Sequence, residues 1–237
     1  MNTTTLRAIF FDAAGTLFRL RESVGEGYAR VGKEFGIRLD PTEADVAFRL
    51  AWKSAKSPFQ SETSNSEREW WRGVVGRVLA ECGQPMKTGY FDTLWAHYAK
   101  AETWELFDET REVLQQLLSG RLRLGVISNF DERLHSILEG HGLAEFFDPI
   151  VISSEVGARK PSAKIYEVAL DRASCSPDEA LHVGDEAEAD WEGARAAGLN
   201  VFELKRPETT LLDALAEIEN WRVNPQADSS SSGQETG

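Results

Sequence analysis

A chain of 237 residues is longer than one minimal domain and short for two full ones, which fits a core domain carrying an insertion. Its 41% apolar content is enough for a packed core, and 39 acidic against 26 basic residues leave a net charge of −13. That balance argues against a general nucleic-acid or anionic-membrane partner, and an anionic substrate would need local help from a metal ion or a few placed cations. No apolar run approaches membrane-spanning length, and Met1 to Thr5 lead into the first strand without the basic and apolar regions of a secretory signal. Cys82 and Cys175 have no metal-like spacing, so a reduced, cytoplasmic chain is the simplest reading.

The first predicted element, Leu6 to Leu17, reads as a buried strand running into a loop. An apolar run meets Asp12, two small residues and Gly15, which puts a carboxylate at the carboxyl end of a central strand, the edge where open α/β sheets bind ligands. By itself Asp12 is equally well an acid capping a turn. After Leu17 the pattern turns helical and stays so to about Trp104. Ala44, Ala47, Phe48, Ala51 and Trp52 recur at helical spacing, as do Trp71, Val74, Val75, Val78 and Leu79, and a shorter set is Phe91, Leu94, Trp95 and Tyr98. Ser66 and Glu69 form a capping-box signature for the third of these helices. The expected organisation is a small all-α unit over residues 20–102, with four of the seven tryptophans inside it as core.

From about Asp108 helices alternate with short apolar strands at Leu122 to Ile127, Ile150 to Ile152, Ala180 to Val183 and Asn200 to Leu204. The intervening helices are expected around Val113 to Leu118, from near Asp131, from Pro161 to Ala173 and from Glu188 to Ala197. A last helix is expected from Glu208 to Trp221. This alternation predicts an α/β fold, a Rossmann-like parallel sheet with right-handed crossovers, built from residues 1–19 and 103–222. Residues 223–237 are almost free of apolar side chains and read as a disordered tail.

Three more predicted strand ends repeat the pattern at Asp12. One delivers Ser128 and Asn129, one Arg159-Lys160-Pro161, and one Asp185 followed by Asp190. Pro161 suits the first position of a helix, which would hold Lys160 at its start. Each motif has a structural reading: Ser and Asn cap helices, a single lysine is an ordinary surface residue, and the acids between 185 and 190 form a solvated loop. Together they make a phosphoryl-transfer site. Asp12 would attack phosphorus, Ser128 and Lys160 would hold its oxygens, and Mg²⁺ held by Asp12, Asp185 and a backbone carbonyl would neutralise charge.

In this order the segments Phe11 to Leu17, Ser128-Asn129, Lys160-Pro161 and Gly184-Asp185 to Asp190 resemble the four motifs of the haloacid dehalogenase-like hydrolase superfamily. Ser153 to Pro161 and Gly193 to Gly198 resemble its phosphoglycolate-phosphatase-like side. Arg19 to Gly25 and Trp70-Trp71 resemble a branch of poorly assigned domain-containing proteins within it. The resemblance implies a Rossmann-like core, a mobile α-helical cap after the first motif and an aspartyl-enzyme intermediate. It also implies Asp12, Ser128 and Lys160 as catalytic residues. Ser128, Asn129 and Lys160 would then bind phosphate, and Asp12, Ala14, Asp185 and Asp190 would hold Mg²⁺. The expected substrate is a small phosphorylated metabolite.

One position departs from that pattern. Family phosphatases carry a second aspartate, the general acid and base, two residues after the nucleophile, and here that residue is Ala14. Losing such a group costs on the order of 10²- to 10⁴-fold in rate. The sequence therefore admits a phosphatase served by a good leaving group or by Glu22 or Glu26. It also admits a phosphonoacetaldehyde-hydrolase-like enzyme using Lys33, Lys53 or Lys56, a 2-haloacid-dehalogenase-like enzyme, and a phosphate-binding protein that does not turn over. Among the remaining polar groups, His182 reads as a satisfied core histidine, and Thr16 reads as a stabiliser of the first loop.

Overall fold

The computed structural model describes residues 5–55 and 66–223. In chain order the strands are β1 (Ala8–Phe11), β2 (Phe18–Leu20), β3 (Trp104–Leu106), β4 (Arg123–Ser128), β5 (Ile150–Ile152), β6 (Ala180–Gly184) and β7 (Asn200–Glu203). The helices are α1 (Val24–Glu34), α2 (Pro41–Ser54), α3 (Ser66–Glu81), α4 (Tyr90–Tyr98), α5 (Thr110–Ser119), α6 (Arg133–Gly140), α7 (Ser153–Val156), α8 (Ala163–Ala173), α9 (Gly193–Ala196) and α10 (Leu211–Val223). The chain separates into two compact units, one made of Met1–Phe18, Leu106–Asn129 and Glu145–Gly237, the other of Arg19–Glu105 and Phe130–Ala144.

The first unit is a parallel sheet in the order β5-β4-β1-β6-β7. β1 is the hinge of the winding: its neighbours are β4 on one edge and β6 on the other, with Phe11 opposite Val126 and Val183. All four β1 side chains are buried, as a central strand covered on both faces requires. Phe10, Ile127 and Val151 pack with Ile165, Tyr166 and Ala169 of α8 into one core cluster. Burial of the larger aliphatic and phenyl side chains among them, Phe10, Ile127, Val151 and Ile165, contributes about 1.5–3 kcal/mol each over the exposed state, which is what holds the polar strand ends in register.

Where the structure departs from the sequence reading, local hydrogen bonds decide. Pro161 is not the first helical residue: Ser162 is the extended N-cap and α8 starts at Ala163, because the Ser162 N–H closes a turn on the Arg159 carbonyl. Residues 187–192 form a π-helix that runs into α9, instead of one regular helix from Glu188. α10 starts at Leu211, since Asp213 accepts the Thr210 N–H at its threshold. The pair β2 and β3 is absent from the sequence reading, because three-residue strands are too short to show a period.

The second unit is helical apart from that ribbon. α1 opens with a reciprocal capping box between Ser23 and Glu26, and α2 with Asp40 accepting the Glu43 N–H ahead of Pro41. Tyr28, Val31, Ala47, Val74, Val78, Leu79, Tyr90 and Leu94 share its core. Trp52, Trp70 and Trp71 meet ring to ring at 5.0 to 5.3 Å. Buried Arg133 chelates Asp131 through two nitrogens and lies 3.7 Å over the Trp95 ring. The side chain of Ser66, Lys56 and residues 224–237 lie outside the described residues, and with them the expected capping box and tail.

Candidate active site

The first unit brings Asp12, Ser128, Lys160, Asp185 and Asp190 together at the carboxyl edge of the sheet. The β1–β6 ladder continues one residue past the strand, where the Asp12 N–H donates to the Val183 carbonyl at 2.9 Å, and this fixes the carboxylate between the two strand ends. Asp12 is only 8% exposed. Its Oδ1 accepts from Ser128 Oγ at 3.0 Å and from Lys160 Nζ at 2.6 Å. Lys160, 3% exposed, uses its other two protons on Asp190 Oδ1 at 2.5 Å and on the Ile127 carbonyl at 2.8 Å. Asn129 grips the Lys160 backbone at both ends, its Oδ1 accepting the Lys160 N–H at 2.7 Å and its Nδ2 donating to the Lys160 carbonyl at 3.1 Å.

Asp190 is locked more tightly than its place in an acidic loop suggested. Besides Lys160 it takes His182 Nε2 at 2.9 Å on Oδ1 and the Glu186 N–H at 3.0 Å on Oδ2. The π-helix supplies this aim, and Trp191 secures it by donating Nε1–H to the Gly184 carbonyl at 2.8 Å. Gly184 leaves the space, since a Cβ there would lie 2.2 Å from the Asp190 Cγ. Asp185, by contrast, has one described hydrogen bond, from Thr16 Oγ1 at 3.0 Å, and Gly15 makes room for it: φ is +97°, and a Cβ would stand 2.3 Å from Asp185 Oδ2.

The charges are unevenly matched. Burial raises the Asp12 carboxyl against the pull of Lys160, and Asp190, which shares that ammonium, raises it further. Burial also works against the charges of Lys160 and Asp190. The two carboxylates outweigh it and hold Lys160 protonated, while Lys160 and His182 hold Asp190 ionised. Among the described residues Asp185 has no cation paired with it, and burial together with the Asp12 charge pushes it up to about 6. One ammonium thus serves two carboxylates, and a third is left over.

That surplus fits a hard cation. Oxygens of Asp12, Asp185 and Asp190 lie within 4.8 Å of one another. Among the described residues no hydrogen bond ends on Asp12 Oδ2, Asp185 Oδ2 or the Ala14 carbonyl, whereas both Asp190 oxygens already accept. An all-oxygen donor set of this kind suits Mg²⁺, which keeps waters or substrate oxygens in its remaining positions. Beside Lys160 a cavity of about 320 Å³ is lined by Asn129, Arg159, Pro161, Glu186, Glu188 and Ala189.

His182 and Arg206 were not singled out as site residues by the sequence. His182 is fully buried and only half satisfied, with Nε2 on Asp190 and Nδ1 without a hydrogen-bond partner among the described residues. Its place two residues before Gly184-Asp185 was the available signal. Arg206 reaches the carbonyls of Gly15 and Thr16, and no motif announced it. In the helical unit, Lys33 and Lys53 are exposed, and so are Lys87 and Lys100, so no described lysine there is desolvated. Glu26 is committed to its capping box and Glu22 to Arg30.

The family model for haloacid dehalogenase-like hydrolases matches residues 6–198. The mouse protein called haloacid dehalogenase-like hydrolase domain-containing protein 3 (Mus musculus) is 34% identical over 203 residues, covering 83% of this chain and 81% of its own length. A Bacillus subtilis protein, YfnB, described as a putative HAD-hydrolase bound to magnesium, superposes with a TM-score of 0.71 at 19% identity, over 91% of this chain and 99% of its own. A defluorinating L-2-haloacid dehalogenase superposes with a TM-score of 0.74 at 18% identity, over 92% and 97%. At such identities the two structures speak to the fold alone.

Proposed function

The chain belongs to the haloacid dehalogenase-like hydrolase family, and we propose that it is a Mg²⁺-dependent phosphatase of small phosphorylated metabolites working through Asp12. The observation that carries this reading is the surplus carboxylate: Lys160 answers for Asp12 and Asp190, and Asp185 stands beside Asp12 with no cation among the described residues to balance it. A dehalogenase attacking carbon needs no metal, so the surplus counts against that reading, whereas a phosphatase would hold a cation there. The phosphonoacetaldehyde-hydrolase-like reading needs a desolvated lysine, and the described lysines of the helical unit are exposed.

In the proposed reaction one oxygen of the Asp12 carboxylate forms a bond to phosphorus as the bond to the leaving oxygen breaks, and the leaving oxygen takes its proton from solvent. Water then attacks the aspartyl phosphate, freeing phosphate and the carboxylate. Ser128 and Lys160 hold Asp12 Oδ1, which turns the other oxygen outward and offers their charge and dipole to the phosphoryl oxygens. Asn129 acts one step back, fixing the Lys160 backbone. Bound by Asp12, Asp185 and the Ala14 carbonyl, Mg²⁺ would supply positive charge against the negative charge of the phosphoryl group. Asp190, with both oxygens engaged, serves in this scheme chiefly as the anchor of Lys160.

With Ala14 in place of an acid, the leaving oxygen departs without a proton from that position, so aryl and other activated phosphates should far outpace simple alkyl phosphates. We assign residues 20–102, the larger part of the helical unit, the role of a cap controlling access, a role that favours small substrates over proteins. A cytoplasmic location accompanies this reading, in line with two unpaired cysteines, Cys82 and Cys175, and with the absence of a long apolar helix among the described residues.

The test is hydrolysis of an aryl phosphate with and without Mg²⁺, alongside Asp12→Asn. Metal-dependent release that the variant loses is the expected result. No release from the wild-type protein would turn the assignment toward a phosphonate or halide substrate or a binding protein.

A further inference from the structure

We infer that Arg206, with Glu109 and Phe107, is a clamp that positions the loop carrying Asp12 and presents the Ala14 carbonyl to the site. The inference rests on the function proposed above and extends it to residues outside the four motifs. Its basis is the accounting of carbonyls in the loop. Ala13 O accepts from Leu17 N–H and Phe18 N–H, and Phe18 O from Gly15 N–H. Leu17 O accepts from Thr110 Oγ1 at 2.8 Å and Phe107 N–H at 3.3 Å. Gly15 O and Thr16 O have no backbone donor among the described residues, and Arg206 supplies both, Nε at 3.2 Å and Nη2 at 3.0 Å. Among the described residues this leaves Ala14 O as the one carbonyl from 13 to 18 that accepts nothing.

The guanidinium is itself held on two further sides. Glu109 binds Nη2 at 2.8 Å, and the Phe107 ring lies 3.4 Å beneath the guanidinium carbon. A planar fork that spans two adjacent carbonyls, meets a carboxylate and stacks on a ring is a task lysine copies poorly, because its three donors radiate from one nitrogen and present neither a spread fork nor a flat face. The loop so held carries Thr16, whose hydroxyl fixes Asp185. Arg206 therefore acts on Asp12, Ala14 and Asp185 through the backbone without touching substrate, and it is a positioning residue. With no acid at position 14, what that residue offers the site is its carbonyl, and loop geometry is what aims it.

The experiment compares wild type, Arg206→Lys and Arg206→Met by three measurements: thermal unfolding, Mg²⁺ binding to the metal-free protein by calorimetry, and kcat and KM on an aryl phosphate. For both variants we expect a folded protein, Mg²⁺ bound about tenfold more weakly, and kcat lower by about 10- to 100-fold with KM little changed, the scale of an ångström-level misplacement. Lysine should recover thermal stability through Glu109 without recovering Mg²⁺ affinity or kcat. Full recovery of both by lysine, or Mg²⁺ affinity unchanged in the methionine variant, would reduce Arg206 to a stabilising charge and overturn the inference. A wild-type protein that binds Mg²⁺ but releases no phosphate would refute the proposed activity, while the calorimetric comparison would still decide the role of Arg206.

Discussion

Two neighbouring residues of the first loop, Ala14 and Gly15, show how much a single side chain decides. Ala14 removes a proton carrier and leaves the backbone in place, so Ala14→Asp should raise kcat on alkyl phosphates by about tenfold or more if proton transfer to the leaving group limits the rate. An unchanged rate would show that another group moves the proton. Gly15 is required by both its positive φ and the Asp185 carboxylate at its back. Asp185 is the strained member of the site, its carboxyl pushed up to about 6 by burial and by Asp12. A folded-state value above the ordinary carboxylate range means that the group costs stability as pH rises through that window. Asp185→Asn should therefore raise the melting temperature in EDTA at neutral pH and abolish the further rise on adding Mg²⁺. A variant that melts lower in EDTA and still responds to Mg²⁺ would contradict the site. Of these residues the sequence made Asp12, Ser128 and Asp185 legible because each sits where an apolar run stops, and Lys160 and Asp190 because they follow in the segments that lead from a strand into a helix. His182 and Arg206 were not, because their partners lie eight and about 190 positions away and no local pattern encodes the contact.

At the level of elements, the stretch from Ala187 to Glu192 shows local preference yielding to a tertiary demand. Its composition suits an ordinary helix, yet Asp190 must turn back to Lys160 and His182, and the wider π turn permits it. The helical unit holds a comparable polar knot. His97 Nε2 faces Arg30 Nη2 at 2.9 Å, and since arginine only donates, Nε2 is the acceptor of a neutral ring whose Nδ1 faces the Thr103 hydroxyl. Burial, reinforced by the Arg30 charge and opposed by Glu22, lowers the His97 pKa. The unfolded chain then takes up this proton more readily than the folded one, so the stability contributed by neutral His97 is lost as pH falls through the imidazole range. His97→Gln, which retains an acceptor for Arg30, should narrow its stability gap to wild type as pH drops from about 7.5 to about 5.5, read from urea midpoints. A gap independent of pH would exclude the mechanism. Residues 130–144 cluster with this unit because α6 packs on the turn at 101–103, with Gly140 against Ala101, a contact that their position between two sheet strands does not suggest.

Across the whole molecule, a net charge of −13 opposes an anionic substrate, and the buried ammonium of Lys160 is already shared by two carboxylates. With Mg²⁺ saturating, raising NaCl from about 20 to about 200 mM should therefore increase kcat/KM for a dianionic aryl phosphate by a few-fold, because screening weakens the long-range repulsion. A steep decrease would place an attractive cationic surface around the site instead. The alternation of apolar runs and helical periods, together with polar residues at four strand ends, was enough in the sequence to establish the α/β class and to nominate the site, since both depend on patterns within a few residues. Which oxygen answers to which donor was settled only by the folded chain. One ammonium divided between Asp12 and Asp190, a third carboxylate left unmatched, and a loop whose carbonyls are filled except at Ala14 all join residues up to about 190 positions apart, and only packing brings such groups within hydrogen-bond reach.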